Sequence, residues 1–253
     1  MHMNHDSARA EFTAWLGGRR LRRLAALTGA GISAESGVPT FRGTDGLWRQ
    51  MSMAELFTPQ ALEEQPLLAW QLYDELRTRI AATRPNAGHH ALAALGRQRA
   101  LTVITQNIDG LHQRAGSEGV LELHGTLWEL RCDACRYREE NTQAPLPTLP
   151  PVCPECSGVL RPDIVFFTEA LPQGALSGAI LAAEHCDLML VIGTSGVVYP
   201  AAGLPAAARS HGALLVEVNP EDTALTGMMD YAIRATAVDA LPWVAAALAE
   251  SRP

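Results

Sequence analysis

The chain alternates between short, almost wholly apolar runs and longer stretches with helical spacing. The runs fall at Leu24–Leu27, Leu101–Thr105, Val120–Leu123, Ile164–Phe167, Asp187–Ile192, Ala213–Val218 and Tyr231–Ile233. Runs this short, rich in Val, Ile and Leu, predict strands, and those without apolar–polar alternation predict strands buried on both faces. Helix candidates lie between them. Glu11–Arg23 carries Phe12, Trp15 and Leu16 on one side, and Pro66–Ala82 places Leu68, Leu72, Leu76 and Ile80 at i+4 steps. His89–Arg99 carries Leu92 and Leu95; Ser52–Phe57, Pro59–Glu64, Leu111–Ala115, Leu176–Glu184, Ala201–Ser210 and Leu241–Glu250 complete the set. Strands alternating with helices predict an α/β fold, a doubly wound, mostly parallel sheet with helices on both faces.

One stretch breaks this rhythm. Trp128–Pro162 has little apolar periodicity, a proline-rich run at Ala144–Pro151, and cysteines paired as Cys132-x-x-Cys135 and Cys153-x-x-Cys156. Such a segment predicts a metal in place of a core. Two Cys-x-x-Cys hairpins supply four thiolates to one tetrahedral ion, which reads as zinc; with no open position, that ion is structural. A redox dithiol is the competing reading. Cys186, beside an apolar run, reads as a small buried apolar residue.

In a parallel sheet the carboxyl ends of the strands share one edge, where ligands bind. Four strands end there in polar or glycine-rich clusters: Thr28–Gly31, Thr105–Asp109, Gly193–Gly196 and Asn219–Glu221. They are expected to converge. Gly29, Gly31 and Ala34 match the dinucleotide fingerprint G-x-G-x-x-G/A. Its glycines let the backbone approach a pyrophosphate, and a following helix start, with Ser33 and Ser36 as candidate caps, presents free N–H groups to the anion. The fingerprint lacks its usual companion, an acidic residue at a strand end about 20 residues on. Asp45 is nearest, but lies in a glycine-flanked loop after Pro39. A nucleotide is therefore expected, held otherwise than in a dehydrogenase.

Gln106 and Asn107 offer paired donors and acceptors for ribose hydroxyls or a carboxamide, and Asp109 an acceptor; an Asx turn with helix capping explains the same residues. Gly193 and Ser195 resemble a second phosphate or ribose contact, and Asn219 and Glu221 lie where an adenosine ribose would fall. A plain turn is the alternative at Asn219-Pro220. His124 ends a strand before Gly125, alone among the histidines, and imidazole suits general-base work near neutral pH. No nucleophile elbow is present, which argues against a hydrolase triad.

Composition narrows the class. The 253 residues are 47% hydrophobic and 19% charged, a globular balance. A net charge of −7 argues against generic nucleic-acid binding. No run reaches the ~18–20 apolar residues of a membrane span, and Met1–His5 lacks a secretory pattern. A cytoplasmic protein without membrane contact is expected.

Together these residues resemble the sirtuin family, NAD-dependent protein-lysine deacylases, of bacterial type. The resemblance runs through Gly29-Ala30-Gly31-Ile32-Ser33, Ser36-Gly37-Val38-Pro39, Phe41-Arg42-Gly43 and Gly46-Leu47-Trp48. It continues with Thr105-Gln106-Asn107-Ile108-Asp109, Leu123-His124-Gly125, the two cysteine pairs, Gly193-Thr194-Ser195 and Asn219-Pro220-Glu221, covering about residues 20–245. It implies a Rossmann-like NAD-binding domain from 8–48, 85–127 and 163–250. A small domain would comprise a helical insertion at 49–84 and a zinc ribbon at 128–162. NAD, consumed as co-substrate, would meet Gly29, Ala30, Gly31, Ser36, Phe41, Arg42, Trp48, Gln106, Asn107, Ile108, Asp109, Gly193, Thr194, Ser195, Asn219, Glu221 and, at the adenine end, Ala237. Asn107, Asp109 and His124 would be catalytic, with His124 the general base. The acyl oxygen would attack C1′ of the nicotinamide ribose, and the products would be free lysine, nicotinamide and O-acyl-ADP-ribose. Tyr73, Val165 and Phe167 would receive the acyl-lysine of a protein or peptide, paired as a β-strand. A monomer without nucleic-acid partners is expected, with one structural zinc on Cys132, Cys135, Cys153 and Cys156.

The chain departs from the family pattern in places. Members that remove succinyl or malonyl groups resemble Tyr-x-x-Arg before Pro-Asn-Ala-Gly-His. Here Tyr73 is followed by Leu76 at the Arg position, and Arg77 lies about 100° further round the helix. Deacetylation is therefore expected, with desuccinylation weak. Thr168-Glu169 stands where the family more often has Gly-Glu. The Gly37–Trp48 loop is expected to act as a lid whose Phe41 and Arg42 order only with NAD. A nicotinamide oxidoreductase with a zinc ribbon, and a non-catalytic NAD or ADP-ribose sensor, are the readings from other classes.

Overall fold

The computed structural model describes residues 5–39 and 57–252. The expectations for Phe41, Arg42, Trp48, Asp45 and the Ser52–Phe57 helix before Phe57 lie outside these residues.

Helix α1 spans His5–Leu16, earlier than the apolar pattern predicts. Gly17 and Gly18 stop it with φ of 55° and 70°, a conformation open mainly to glycine. Phe12 still serves as its anchor, with ring contacts to Trp15, Tyr231 and Trp243. The main sheet contains β1 (Arg23–Thr28), β2 (Ala100–Thr105), β3 (Leu121–Glu122), β7 (Leu188–Ile192), β8 (Leu214–Val218) and β9 (Tyr231–Ile233). Their order is β3-β2-β1-β7-β8-β9, every neighbouring pair parallel. The order reverses between β1 and β7, which opens the crevice where such sheets bind ligands.

Both faces are covered, as the apolar runs predict. Leu24 and Ala26 of β1 join the core beneath α1, α4 (Ala87–Gln98) and α8 (Ala237–Glu250). Ala25 and Leu27 join the opposite core, with α6 (Gln173–His185) and α7 (Leu204–Ser210). Alternate residues of one apolar strand thus serve two cores.

A smaller antiparallel sheet, β5-β4-β6, is built from β4 (Gly125–Cys132), β5 (Arg138–Glu140) and β6 (Leu160–Ile164). The strand expected at Ile164–Phe167 therefore lies earlier, because β6 pairs with β4 from Leu160 onward. The segment also has more core than its sequence suggests. Leu130, Cys132, Cys153 and Leu160 pack with Trp70, Tyr73, Leu76 and Ile80 of α3 (Pro66–Ala81), which follows the short α2 (Pro59–Glu64). Trp70 fixes the contact by donating its indole N–H to the Leu160 carbonyl at 2.7 Å. Among the described residues no helix is long and apolar enough to cross a membrane.

Candidate functional site

The four clusters do converge at the carboxyl edge. The N–H of Gly29 donates to Ile192 O and that of Gly31 to Gly193 O, each at 2.9 Å. A Cβ on Gly31 would lie 2.7 Å from Gly193 Cα, so both glycines are required for the two loops to interlock. Gln106 donates its amide to Thr194 Oγ1 at 2.9 Å and Asn219 donates to Thr194 O at 3.3 Å. Thr194 is therefore the hub that draws in the second and fourth loops.

Within residues 29–39 no long helix follows the fingerprint. Two single 3-10 turns, Ala30–Ile32 and Ala34–Ser36, stand there instead, and neither Ser33 nor Ser36 caps one. Ser33 is committed elsewhere: its hydroxyl donates to Asp109 Oδ2 at 2.7 Å and accepts from Asn107 Nδ2 at 3.2 Å. Ser36 Oγ accepts from Asn86 Nδ2 at 2.9 Å. Asn107 also donates to Gly29 O at 3.1 Å, while its own N–H donates to Thr105 Oγ1 at 3.0 Å. The Asp109 carboxylate, nearly fully buried, accepts the Leu111 N–H at 2.8 Å as well. Burial pushes its pKa up, and these hydrogen bonds and the Arg114 charge counteract. Asn107 and Asp109 line a small pocket with Ala30, Ile108 and Leu76.

Three residues behind this pocket escape a motif reading. Asn86 caps α4 in a reciprocal box with His89, and also donates to Ile32 O at 2.7 Å. His89 Nε2 lies 3.3 Å from Ser33 Oγ, and His112 Nε2 lies 2.9 Å from Thr28 Oγ1. Burial, with the neighbouring charges of His112 and His90, lowers the His89 pKa to about 3; burial alone lowers His112 to about 4. Both rings are neutral at physiological pH. The Asn86-x-x-His89 capping pattern after Pro85 was the one available signal.

His124 Nδ1 lies 2.8 Å from the Gln106 carbonyl. A carbonyl only accepts, so Nδ1 carries the proton and Nε2 the lone pair. Burial lowers its pKa, and the hydrogen bond to Gln106 offsets part of that shift. Gly125 beside it has φ of 73°, and a Cβ there would lie 1.9 Å from Asp163 O. The His124 carbonyl accepts the Val165 N–H at 2.9 Å, tying the general-base candidate to the segment after β6.

Tyr73 meets Phe166 at a ring distance of 5.9 Å and Phe57 at 5.2 Å. Val165 and Phe167 flank Phe166 in sequence; Val165 is half-buried and Phe167 is 47% exposed. Ser195 and Glu221 are exposed, and Glu221 N–H closes an Asx turn on Asn219. Ala237 is buried in the first turn of α8. A wider cavity of about 600 Å³, bordered by Gly110, Glu122 and Trp128, holds none of the other loop residues.

The four paired cysteines bring their sulfurs within 4.8 Å of one another. Cys132 to Cys156 is 3.4 Å and Cys135 to Cys153 is 3.6 Å, close to the ~3.8 Å edge of a tetrahedron with 2.3 Å zinc–sulfur bonds. The donor set fits a structural zinc.

The sequence model of the Sir2 family matches residues 29–200. The chain is 50% identical over 208 residues to the NAD-dependent protein deacylase of Aquifex aeolicus, covering 82% of this chain and 87% of that protein. It is 46% identical over 223 residues to the NAD-dependent protein deacylase of Pyrococcus furiosus, covering 86% and 89%. A solved Sir2 homologue–NAD complex superposes with a TM-score of 0.86 at 40% identity, covering 97% of this chain and 93% of the other. A Sir2–p53 peptide–NAD+ complex superposes at 0.80 with 35% identity, covering 96% and 97%. The chain belongs to the Sir2 family, the sirtuins.

Proposed function

We propose that this sirtuin is an NAD-dependent protein-lysine deacylase that prefers acetyl-lysine, holds one structural zinc and works as a monomer. The observation that carries the reading is His124: neutral, with Nδ1 fixed on the Gln106 carbonyl and Nε2 left as a base, at the junction of the nucleotide loops and the Val165 segment. NAD, when bound, supplies a glycosidic bond whose cleavage yields the acyl acceptor. Ala30, Asn107, Ile108 and Asp109 line one small pocket beside which the nicotinamide would lie. Ser33, bonded to both Asn107 and Asp109, holds that amide and carboxylate in register. His124 Nε2 takes the proton from a ribose hydroxyl, and the Gln106 carbonyl stabilises the imidazolium that results. Relatives named as deacylases and a homologue solved with a p53 peptide support acyl-lysine protein as the substrate class.

The acyl preference rests on Leu76 and Arg77. Leu76 is buried in the apolar cluster that contains Tyr73 and Phe166, on the side expected to take the acyl-lysine. Arg77 is turned away and committed: it donates to Asn141 O, Asn141 Oδ1 and Gln143 O at 2.8–2.9 Å, and to Leu127 O, with Trp128 beneath its guanidinium. A succinyl carboxylate would lack the bidentate partner it needs. Turnover of matched acetyl and succinyl peptides tests this; equal or faster succinyl removal contradicts it.

A further inference from the structure

Arg131 of β4 and Arg161 of β6 are direct cross-strand partners. Two guanidinium groups in that register repel unless acids separate them. Asp133 lies 3.2 Å from Arg131 and 3.5 Å from Arg161. Glu169 grips Arg161 through both oxygens, at 2.7 and 2.8 Å, and lies 3.8 Å from Arg131. Asp133 sits inside the Cys132–Cys135 knuckle, while Glu169 follows the Val165–Phe167 segment.

Arg161 is 1% exposed. A buried guanidinium costs more than an apolar side chain of similar volume would, so its burial alone does not explain its presence. What it does is fix position. It donates to Ile164 O at 2.8 Å, and its guanidinium lies 3.6 Å above the centre of the Phe166 ring. Its partner Glu169 accepts the Phe166 N–H at 2.8 Å. One ion pair thus holds a carbonyl, an amide and a ring of Ile164–Phe166, and reaches the cysteine knuckle through Asp133.

We propose that Arg161 is a positioning residue which, through Glu169, sets the acyl-lysine-binding segment Val165–Phe167 relative to the four-cysteine knuckle. The proposal rests on the deacylase reading, in which that segment receives the peptide. It would couple a ribbon remote in sequence from the nucleotide loops to the peptide-binding segment. Arg161→Lys keeps the charge but loses the two-pronged grip on Glu169. Glu169→Gln keeps the shape but loses the charge.

The experiment is steady-state kinetics of zinc-loaded wild-type, Arg161→Lys and Glu169→Gln proteins with acetyl-lysine peptide and NAD, alongside zinc content. Hydrogen bonds to a charged group are worth about 1.5–3 kcal/mol, so the KM for peptide should rise about tenfold or more. The KM for NAD and kcat should stay within about twofold, and zinc should be retained. A parallel rise in both KM values, or an unchanged peptide KM, overturns the proposal. If Arg161→Lys fails to fold, Glu169→Gln decides on the same split. A wild-type protein that releases no nicotinamide overturns the deacylase reading instead. The comparison is then made by titrating fluorescent acetyl-lysine peptide into wild type and variants, and affinities that do not differ overturn the proposal.

Discussion

The N–H of Gly31 donates to the carbonyl of Gly193 at 2.9 Å, and a Cβ on Gly31 would lie 2.7 Å from Gly193 Cα. The first and third ligand loops therefore touch backbone to backbone. Gly31→Ala should force them apart, costing on the order of 1–3 kcal/mol of stability and weakening NAD binding. Gly174→Ala in α6, where a Cβ meets nothing within 4 Å, is the control and should leave NAD binding unchanged and stability equal or slightly higher. Thermal melts with and without NAD read both effects.

Arg77 reads as structural. It donates to several carbonyls around Asn141 while Trp128 lies 5.2 Å below its guanidinium. Arg77→Met should cost about 3 kcal/mol or more, because those carbonyls lose a charged donor. The acetyl-to-succinyl rate ratio should not change, whereas Leu76→Arg should shift that ratio toward succinyl. Denaturant unfolding and paired peptide assays separate the two effects.

His89 and His112 link stability to pH. Their folded pKa values, about 3 and about 4, lie below the unfolded value of 6.5. Above pH 6.5 neither state binds a proton at these rings, so their penalty is absent. Below it the unfolded chain takes up protons that the folded chain refuses. Stability should fall by about 2 kcal/mol per ring by pH 5, and by more as the pH approaches 4. His112→Gln should flatten that slope; a stability curve that is level between pH 7 and 5 contradicts the assignment.

Thr168 adopts φ of 74°, a left-handed conformation unfavourable for a β-branched residue. The sequence shows a departure from Gly-Glu here, and the backbone shows why glycine is the easier choice. Thr168→Gly should stabilise the protein by about 1 kcal/mol, the steric relief exceeding the added chain entropy. An equilibrium unfolding curve measures it.

Much of this architecture was legible in the sequence. The runs Leu24–Leu27, Leu101–Thr105, Asp187–Ile192 and Ala213–Val218 match inner strands because burial on both faces forbids polar alternation. Their ends converge because parallel strands share one edge. The cysteine spacing needed only tetrahedral chemistry. Other features depend on contacts between distant residues. Ser33 reads locally as a cap, yet its partners Asn107 and Asp109 come from the loop after β2. His89 and His112 lie on helices the sequence predicts, and nothing local reveals that Ser33 and Thr28 face them. The apolar run Ile164–Phe167 marks β6 too late, because its pairing with β4, not its own apolar pattern, sets its limits.

The central claim is that His124 acts as the base of an NAD-dependent deacylation. The direct measurement is release of free acetylated ADP-ribose and deacetylated peptide from NAD and an acetyl-lysine peptide, across pH, for wild type and His124→Ala. Because burial lowers the His124 pKa, its base form persists into mild acid, and the acid limb of the wild-type rate should lie below about pH 6.5. His124→Ala should lose product formation by about 100-fold or more, the usual scale for a missing general base. Product formation by His124→Ala at the wild-type rate, or NADH in place of nicotinamide, would contradict the account.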